Sequence, residues 1–140
     1  MTDKIILDTG PLVAFLNKND DYHDWTVLHF NLMAPPLFTC ESVISEACYL
    51  LNQYHHGPAK VLELIDRDLI EIKFDLNNEY KALKKMIDKY DNVSMSFADS
   101  CLVRMAEIIE TSKVFTLDTD FRIYRKNKNE VIPTIMPENC

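Results

Sequence analysis

The sequence predicts an α/β fold, a three-layer α/β/α sandwich around a mostly parallel central sheet. Three observations lead there. Short apolar runs of strand length, KIILD (4–8), LIEIKFD (69–75) and KVFTLD (113–118), are separated by stretches with helical spacing, and successive parallel strands need such crossovers. Hydrophobic residues make up 47% and charged residues 26% of 140 positions, so residues 1–140 read as one globular domain with a core of its own. Only two glycines, Gly10 and Gly57, argue against a loop-rich or low-complexity chain.

KIILD is the first buried strand, and GPLVAFLNK changes to helical period with Pro11 suited to a first helical turn. DDYHDWTVLHFNLM is a second helix, stopped by Pro35-Pro36. LFT is a brief extended piece leading into the helix CESVISEACYLLNQY, whose inward stripe is expected to be Val43, Ala47, Leu50, Leu51 and Tyr54. After the break at Gly57-Pro58 come the helix AKVLELIDRD, the strand at 69–75 and the helix LNNEYKALKKMIDKY, with Leu76, Tyr80, Leu83 and Ile87 expected inward. SFADSCLVRMAEIIE (96–110) is the clearest amphipathic helix, KVFTLD the clearest strand, and VIPTI (131–135) an edge strand, since Pro133 cannot donate to a ladder.

Ligands of such sheets collect beyond the carboxyl ends of the strands, which puts Asp8 and Asp118, each closing an apolar run, on one rim. Either is also a good cap. Glu46 falls beside the inward stripe of its helix, whereas Glu41 sits on nearly the opposite side, in the first turn. Asp99 stands fourth in SFAD, where it can complete a capping box with Ser96 or offer a ligand at a helix start; the two roles are compatible. Independent caps have no need to converge. If these acids face one crevice, their repulsion calls for hard cations, and all-oxygen ligands select Mg²⁺ or Mn²⁺ over zinc.

The formal net charge of −7 works against nucleic-acid binding in general, because phosphates are gripped mostly by Lys and Arg. Bound divalent ions would cancel part of it locally. The basic stretch Arg122, Arg125, Lys126 and Lys128 is either a phosphate-binding patch or a solvated helix face. No membrane span or signal peptide is visible, and Cys40, Cys48, Cys101 and Cys140 share no metal-type spacing, so a reduced cytoplasmic setting is expected. His23 reads as a packing or capping residue, and Trp25 as core packing before a base-stacking platform.

Taken in order, KIILDTGPLVAFLNKND, DDYHDW, VISEACYLL, SFADSCL and FTLDTDF resemble the PIN-domain ribonucleases, and most closely the toxin component of VapBC-type bacterial toxin-antitoxin pairs. The likeness spans about residue 4 to residue 135. It implies a PIN-like fold and a divalent-metal endoribonuclease site assembled from Asp8, Glu46, Asp99 and Asp118, with Asp120 as an auxiliary ligand. Water activated by Mg²⁺ or Mn²⁺ would cleave RNA phosphodiesters without a protein nucleophile. Also implied are a small antitoxin whose C-terminal segment blocks the acidic groove, and a homodimer. Thr9 and Thr116 flank matched acids, so their hydroxyls can orient carboxylates, although both equally suit a turn or strand. Two other readings remain open: a catalytically silent PIN-like module that binds RNA or protein, and an aspartate-nucleophile phosphatase suggested by the Asp118-Thr119-Asp120 pair.

Overall fold

The computed structural model describes residues 3–138. Its centre is a five-stranded sheet in the order β3-β2-β1-β4-β7, formed by β1 (Lys4–Leu7), β2 (Leu37–Thr39), β3 (Ile70–Ile72), β4 (Ser112–Phe115) and β7 (Thr134–Ile135). Every neighbouring pair is parallel. β1 lies in the middle, with Ile5, Ile6 and Leu7 all buried, as a strand covered on both faces requires. Six helices flank the sheet: α1 (Thr9–Leu16), α2 (His23–Asn31), α3 (Glu41–Leu50), α4 (Gly57–Asp66), α5 (Leu76–Lys89) and α6 (Phe97–Ile108). After β4 the chain makes a 3-10 turn (Thr119–Arg122) and a small antiparallel hairpin of β5 (Arg125–Lys126) and β6 (Glu130–Val131). This is the α/β/α architecture that the alternation of apolar runs predicts.

The chain winds from β1 through α1 and α2 to β2 on one side, whereas β4 lies on the other side of β1 and leads to β7. Between β1 and β4 the strand order therefore reverses, and a crevice opens beyond their carboxyl ends. Their register, Leu7 opposite Phe115, brings the residues after both strands to the same level. Thr39, at the end of β2, donates its hydroxyl to the Leu7 carbonyl at 2.8 Å, which ties the start of α3 to the same rim. Among the described residues no helix is long and apolar enough to cross a membrane.

Several expectations are corrected. In α5 the inward row is Leu83 and Met86, while Leu76, Tyr80 and Ile87 are exposed. That helix packs on α6 and touches the core along a single narrow row, so the flanking apolar residues line an outer groove with Phe97. In α3 the buried row is Val43, Ala47 and Leu51; Leu50 and Tyr54 face outward, because an i, i+4, i+8 row is enough to cover the sheet. The strands are shorter than their apolar runs: β4 stops at Phe115 and β3 at Ile72. VIPTI divides between hairpin and edge, the Pro133 carbonyl still accepting the Val114 N–H at 2.9 Å. Of the basic stretch only Arg122 lies on a helical turn, the end of the 3-10 turn; Arg125, Lys126 and Lys128 form no helix face, since the hairpin turns through positive φ at Asn127 and Lys128. Cys40 and Cys101 are buried as free thiols and Cys48 is half-buried; Cys140 lies outside the described residues.

Candidate metal centre

Asp8 is the first residue past β1. Its backbone N–H donates to the Phe115 carbonyl at 3.0 Å, extending the β1–β4 ladder by one step. Its side chain caps α1: Oδ1 accepts from the Thr9 N–H at 2.7 Å, and Oδ2 accepts the Thr116 hydroxyl at 2.7 Å. That hydroxyl in turn accepts the Asp118 N–H at 2.9 Å. One threonine side chain thus couples the two strand ends and fixes both acids. Close packing completes the junction, for a Cβ at Gly10 would come within 3.3 Å of Leu117 Cβ.

Asp118 then caps the 3-10 turn, accepting the Asp120 N–H at 2.9 Å. Asp99 sits inside the capping box that opens α6: its N–H donates to Ser96 Oγ at 3.0 Å, and its Oδ2 accepts from the Ser96 N–H at 3.4 Å. The same Oδ2 accepts the Tyr124 hydroxyl at 2.9 Å. Tyr124 is fully buried and packs edge-on against Tyr90 and Phe121, so the 3-10 turn positions Asp118 directly and Asp99 through this tyrosine. Glu46 approaches from the exposed side of α3.

These groups meet. A cleft of about 430 Å³ is lined by Asp8, Glu46, Asp99, Asp118 and Asp120, with Thr9 among its walls. Capping and convergence therefore coincide, as the sequence allows for Asp99 and as holds also for Asp8 and Asp118. Burial pushes the Asp8 carboxyl up to about 7, against the lowering effect of its two hydrogen bonds and with a further push from the charges of Asp99 and Asp118. Burial likewise raises Asp99, with the Asp118 charge adding to it, while the Tyr124 and Ser96 contacts oppose the shift. Burial and the Asp99 charge hold the Tyr124 phenol protonated as a donor.

Among the described residues no group of three acids, histidines or cysteines is placed to hold a metal ion; the five carboxylates share the walls of one cleft. The donor set nonetheless fits a hard divalent cation. It is all oxygen and anionic, burial and neighbouring acids raise the proton affinity of Asp8 and Asp99, and a cation replaces the protons that those two would otherwise hold. Thr9 adds to this fit. Its backbone N–H, not its hydroxyl, orients Asp8, and the buried Oγ1 has no hydrogen-bond partner.

The basic residues lie elsewhere. Arg122, Arg125 and Lys126 do not line the acid cleft, and one guanidinium nitrogen of Arg125 donates to the carbonyls of Arg122, Ile123 and Tyr124 at 2.7, 3.1 and 3.0 Å. Arg125 borders a neighbouring groove with Lys85, Lys89 and Lys128. His23 bonds the Ala14 carbonyl at 2.7 Å and Trp25 stacks on His29, so both serve packing. Tyr124 is the functional contact that the sequence does not announce. Its i+3 spacing from Phe121 is the one local sign that it turns inward.

A family model described as the PIN domain matches residues 5–127. The crystal structure of Mycobacterium tuberculosis VapC20, described as a sarcin-ricin loop cleaving toxin, superposes with a TM-score of 0.76 at 18% identity, over 84% of this chain and 92% of that one. No curated protein matches the sequence.

Proposed function

The chain belongs to the PIN-domain family, and from that premise we propose that it is a divalent-metal-dependent endoribonuclease, the toxin of a toxin-antitoxin pair. The observation that carries the reading is the convergence of Asp8, Glu46, Asp99, Asp118 and Asp120 on one cleft, with Asp8 lifted to about 7 by burial and by its acidic neighbours. Asp8, Asp99 and Asp118 would hold Mg²⁺ or Mn²⁺, with Glu46 and Asp120 as the remaining donors. When bound, the ion supplies an acidified water and offsets charge on the phosphodiester oxygens.

The chain's own work is orientation. Thr116 and the Thr9 N–H fix both oxygens of Asp8, Tyr124 and Ser96 fix Asp99, and the 3-10 turn fixes Asp118. None of these acids needs to act as nucleophile. The cations bordering the nearby groove, Arg125 with Lys85, Lys89 and Lys128, suit RNA phosphates; Arg122 and Lys126, near Arg125 in the chain, do not line that groove. A cytoplasmic homodimer with a small antitoxin partner completes the reading. Exposed apolar residues support such partners: Leu76, Tyr80 and Phe97 line one groove, and Tyr49 and Leu50 on α3 and Leu62 on α4 are exposed.

The test is cleavage of RNA by the purified chain with Mg²⁺ or Mn²⁺. Asp8→Asn and Asp118→Asn should abolish cutting while the far-UV circular dichroism stays native. Full activity in excess EDTA refutes the reading. Metal binding retained with no RNA cleavage favours the silent binding module instead, and a trapped phospho-aspartate favours the phosphatase.

A further inference from the structure

We propose that the cavity beside the acid cleft is a base subsite that takes a guanine from unpaired RNA. The inference rests on the ribonuclease reading and adds to it the base that the chain selects. The cavity measures about 520 Å³ and lies over the loop between α5 and α6, within the roughly 300–1,000 Å³ of small-molecule pockets. Ser94 and Ser96 belong to its wall and also to the wall of the acid cleft. Tyr90 belongs to its wall and also to the groove bordered by Lys85, Lys89, Arg125 and Lys128. Carboxylates, cavity and cations therefore follow one another along the surface. A single strand laid on this track has a phosphate among the acids, the adjoining base in the cavity and the next phosphates against the cations.

The wall chemistry selects the base. Ile87, Val93 and Met95 line the cavity with apolar residues, and Asp91 and Asn92 line it with exposed polar ones; in the proposed site the first group covers the faces of a ring and the second its edge. A carboxylate only accepts hydrogen bonds. Guanine alone among the four RNA bases presents two adjacent donors, N1–H and the N2 amino group, on its Watson–Crick edge. Uracil sets two carbonyl oxygens on that edge, while cytosine and adenine each set a bare ring nitrogen beside one amino group. Against a carboxylate these acceptors meet another acceptor and are rejected. The Asn92 amide can then donate to guanine O6. Of the two carboxylates in the wall, we assign the edge contact to Asp91, which lies in the loop itself, whereas Asp88 lies on α5.

Binding and cutting test this separately. The metal-free full chain is titrated with guanosine, inosine, adenosine, cytidine and uridine, following backbone amide shifts by NMR. Guanosine should bind at least tenfold tighter than uridine, with shifts centred on residues 88–96, and inosine, which lacks the N2 amino group, should fall between them. Asp91→Asn should remove the preference, a loss of about ten- to a hundredfold for a bidentate base contact. With Mn²⁺, one guanosine moved along a uridine oligomer should carry the cut with it at constant offset. Guanosine binding no tighter than uridine, or discrimination unchanged in Asp91→Asn, overturns the subsite whether or not RNA is cut. A guanosine preference in a chain that cuts no RNA upholds the subsite and overturns the ribonuclease reading.

Discussion

Replacing Asp8 by Asn isolates what a buried carboxylate costs the fold. Asp8 is only 6% exposed, and burial first, then the charges of Asp99 and Asp118, lift its pKa from 3.8 to about 7 in spite of the bonds from Thr116 and Thr9. Below pH 3.8 the group is protonated in both the folded and the unfolded chain, and folding is unaffected. Above it the unfolded chain ionises while the folded one keeps its proton up to about 7, so stability falls as pH rises through that window. At about 1.4 kcal/mol per unit, the loss is about 4 kcal/mol at pH 8 and under 2 kcal/mol at pH 5. Asparagine escapes this titration. It has one acceptor oxygen where the carboxylate uses two, so a hydrogen bond of about 1 kcal/mol is lost at every pH. Asp8→Asn should therefore match the parent near pH 5 and exceed it by roughly 2–3 kcal/mol at pH 8, while abolishing cleavage. Urea unfolding in metal-free buffer between pH 5 and pH 8 measures the difference. Excess Mg²⁺ should narrow the gap at pH 8, because the ion binds the folded parent and not the variant. A difference that does not change with pH, or a variant weaker than the parent at pH 8, refutes the reasoning.

Three further perturbations probe the supporting groups. Tyr124→Phe removes the hydroxyl that Asp99 accepts; Mn²⁺ titrations of cleavage should show affinity falling about 10–100-fold, with much of the rate restored at saturation, and unchanged affinity counts against the role. Thr116→Val keeps the side-chain shape but deletes the hydroxyl between the Asp118 N–H and Asp8. The Asp8 carboxyl should then titrate above its present value of about 7, as read by carbon NMR, and a fall sinks the assignment. Gly57→Ala drives a Cβ into the Leu51 carbonyl oxygen, so the α3–α4 connection must shift at a cost of roughly 1–3 kcal/mol. Gly10→Ala, at 3.3 Å from a Leu117 side chain, should lower the melting temperature far less.

What the sequence revealed and concealed follows from how far each signal reaches along the chain. Asp8 and Asp118 were legible because a parallel sheet gathers the carboxyl ends of its strands on one rim, so order along the chain becomes position in space. Asp99 was legible as a helix start, through Ser96. Tyr124 was not, since its partner Asp99 lies 25 residues away and its own neighbours are arginines and an exposed isoleucine. The buried stripes of α3 and α5 are narrower than their periodicity suggests for a similar reason: periodicity reports which residues share a face, but how much of that face is covered depends on neighbours that the local pattern does not contain. The segment after the 3-10 turn failed differently. Its reversal uses positive φ at Asn127 and Lys128 where glycine would have marked a turn, so RIYRKNK looked helical.

The acids raise the question of whether caps and ligands compete, and the geometry answers it. A cap turns a carboxylate toward backbone N–H groups at the start of a helix, and three such starts, those of α1, α6 and the 3-10 turn, open onto the same cleft. Each capping bond occupies an oxygen lone pair and fixes the carboxylate's orientation, yet an ionised carboxylate has about four lone-pair sites and spends only some of them on its cap. Capping therefore restrains the side chain while leaving acceptor capacity for a cation. It also lowers the pKa of Asp8 against the rise from burial, keeping that carboxyl within reach of ionisation at neutral pH, where an ion can displace the proton. If its capping bonds alone set the surroundings of Asp8, its metal-free pKa would sit at or below the ordinary carboxylate range, whereas burial and the charges of Asp99 and Asp118 carry it above. A measured Asp8 value near 4 would separate the two roles and leave the cleft a meeting of turns.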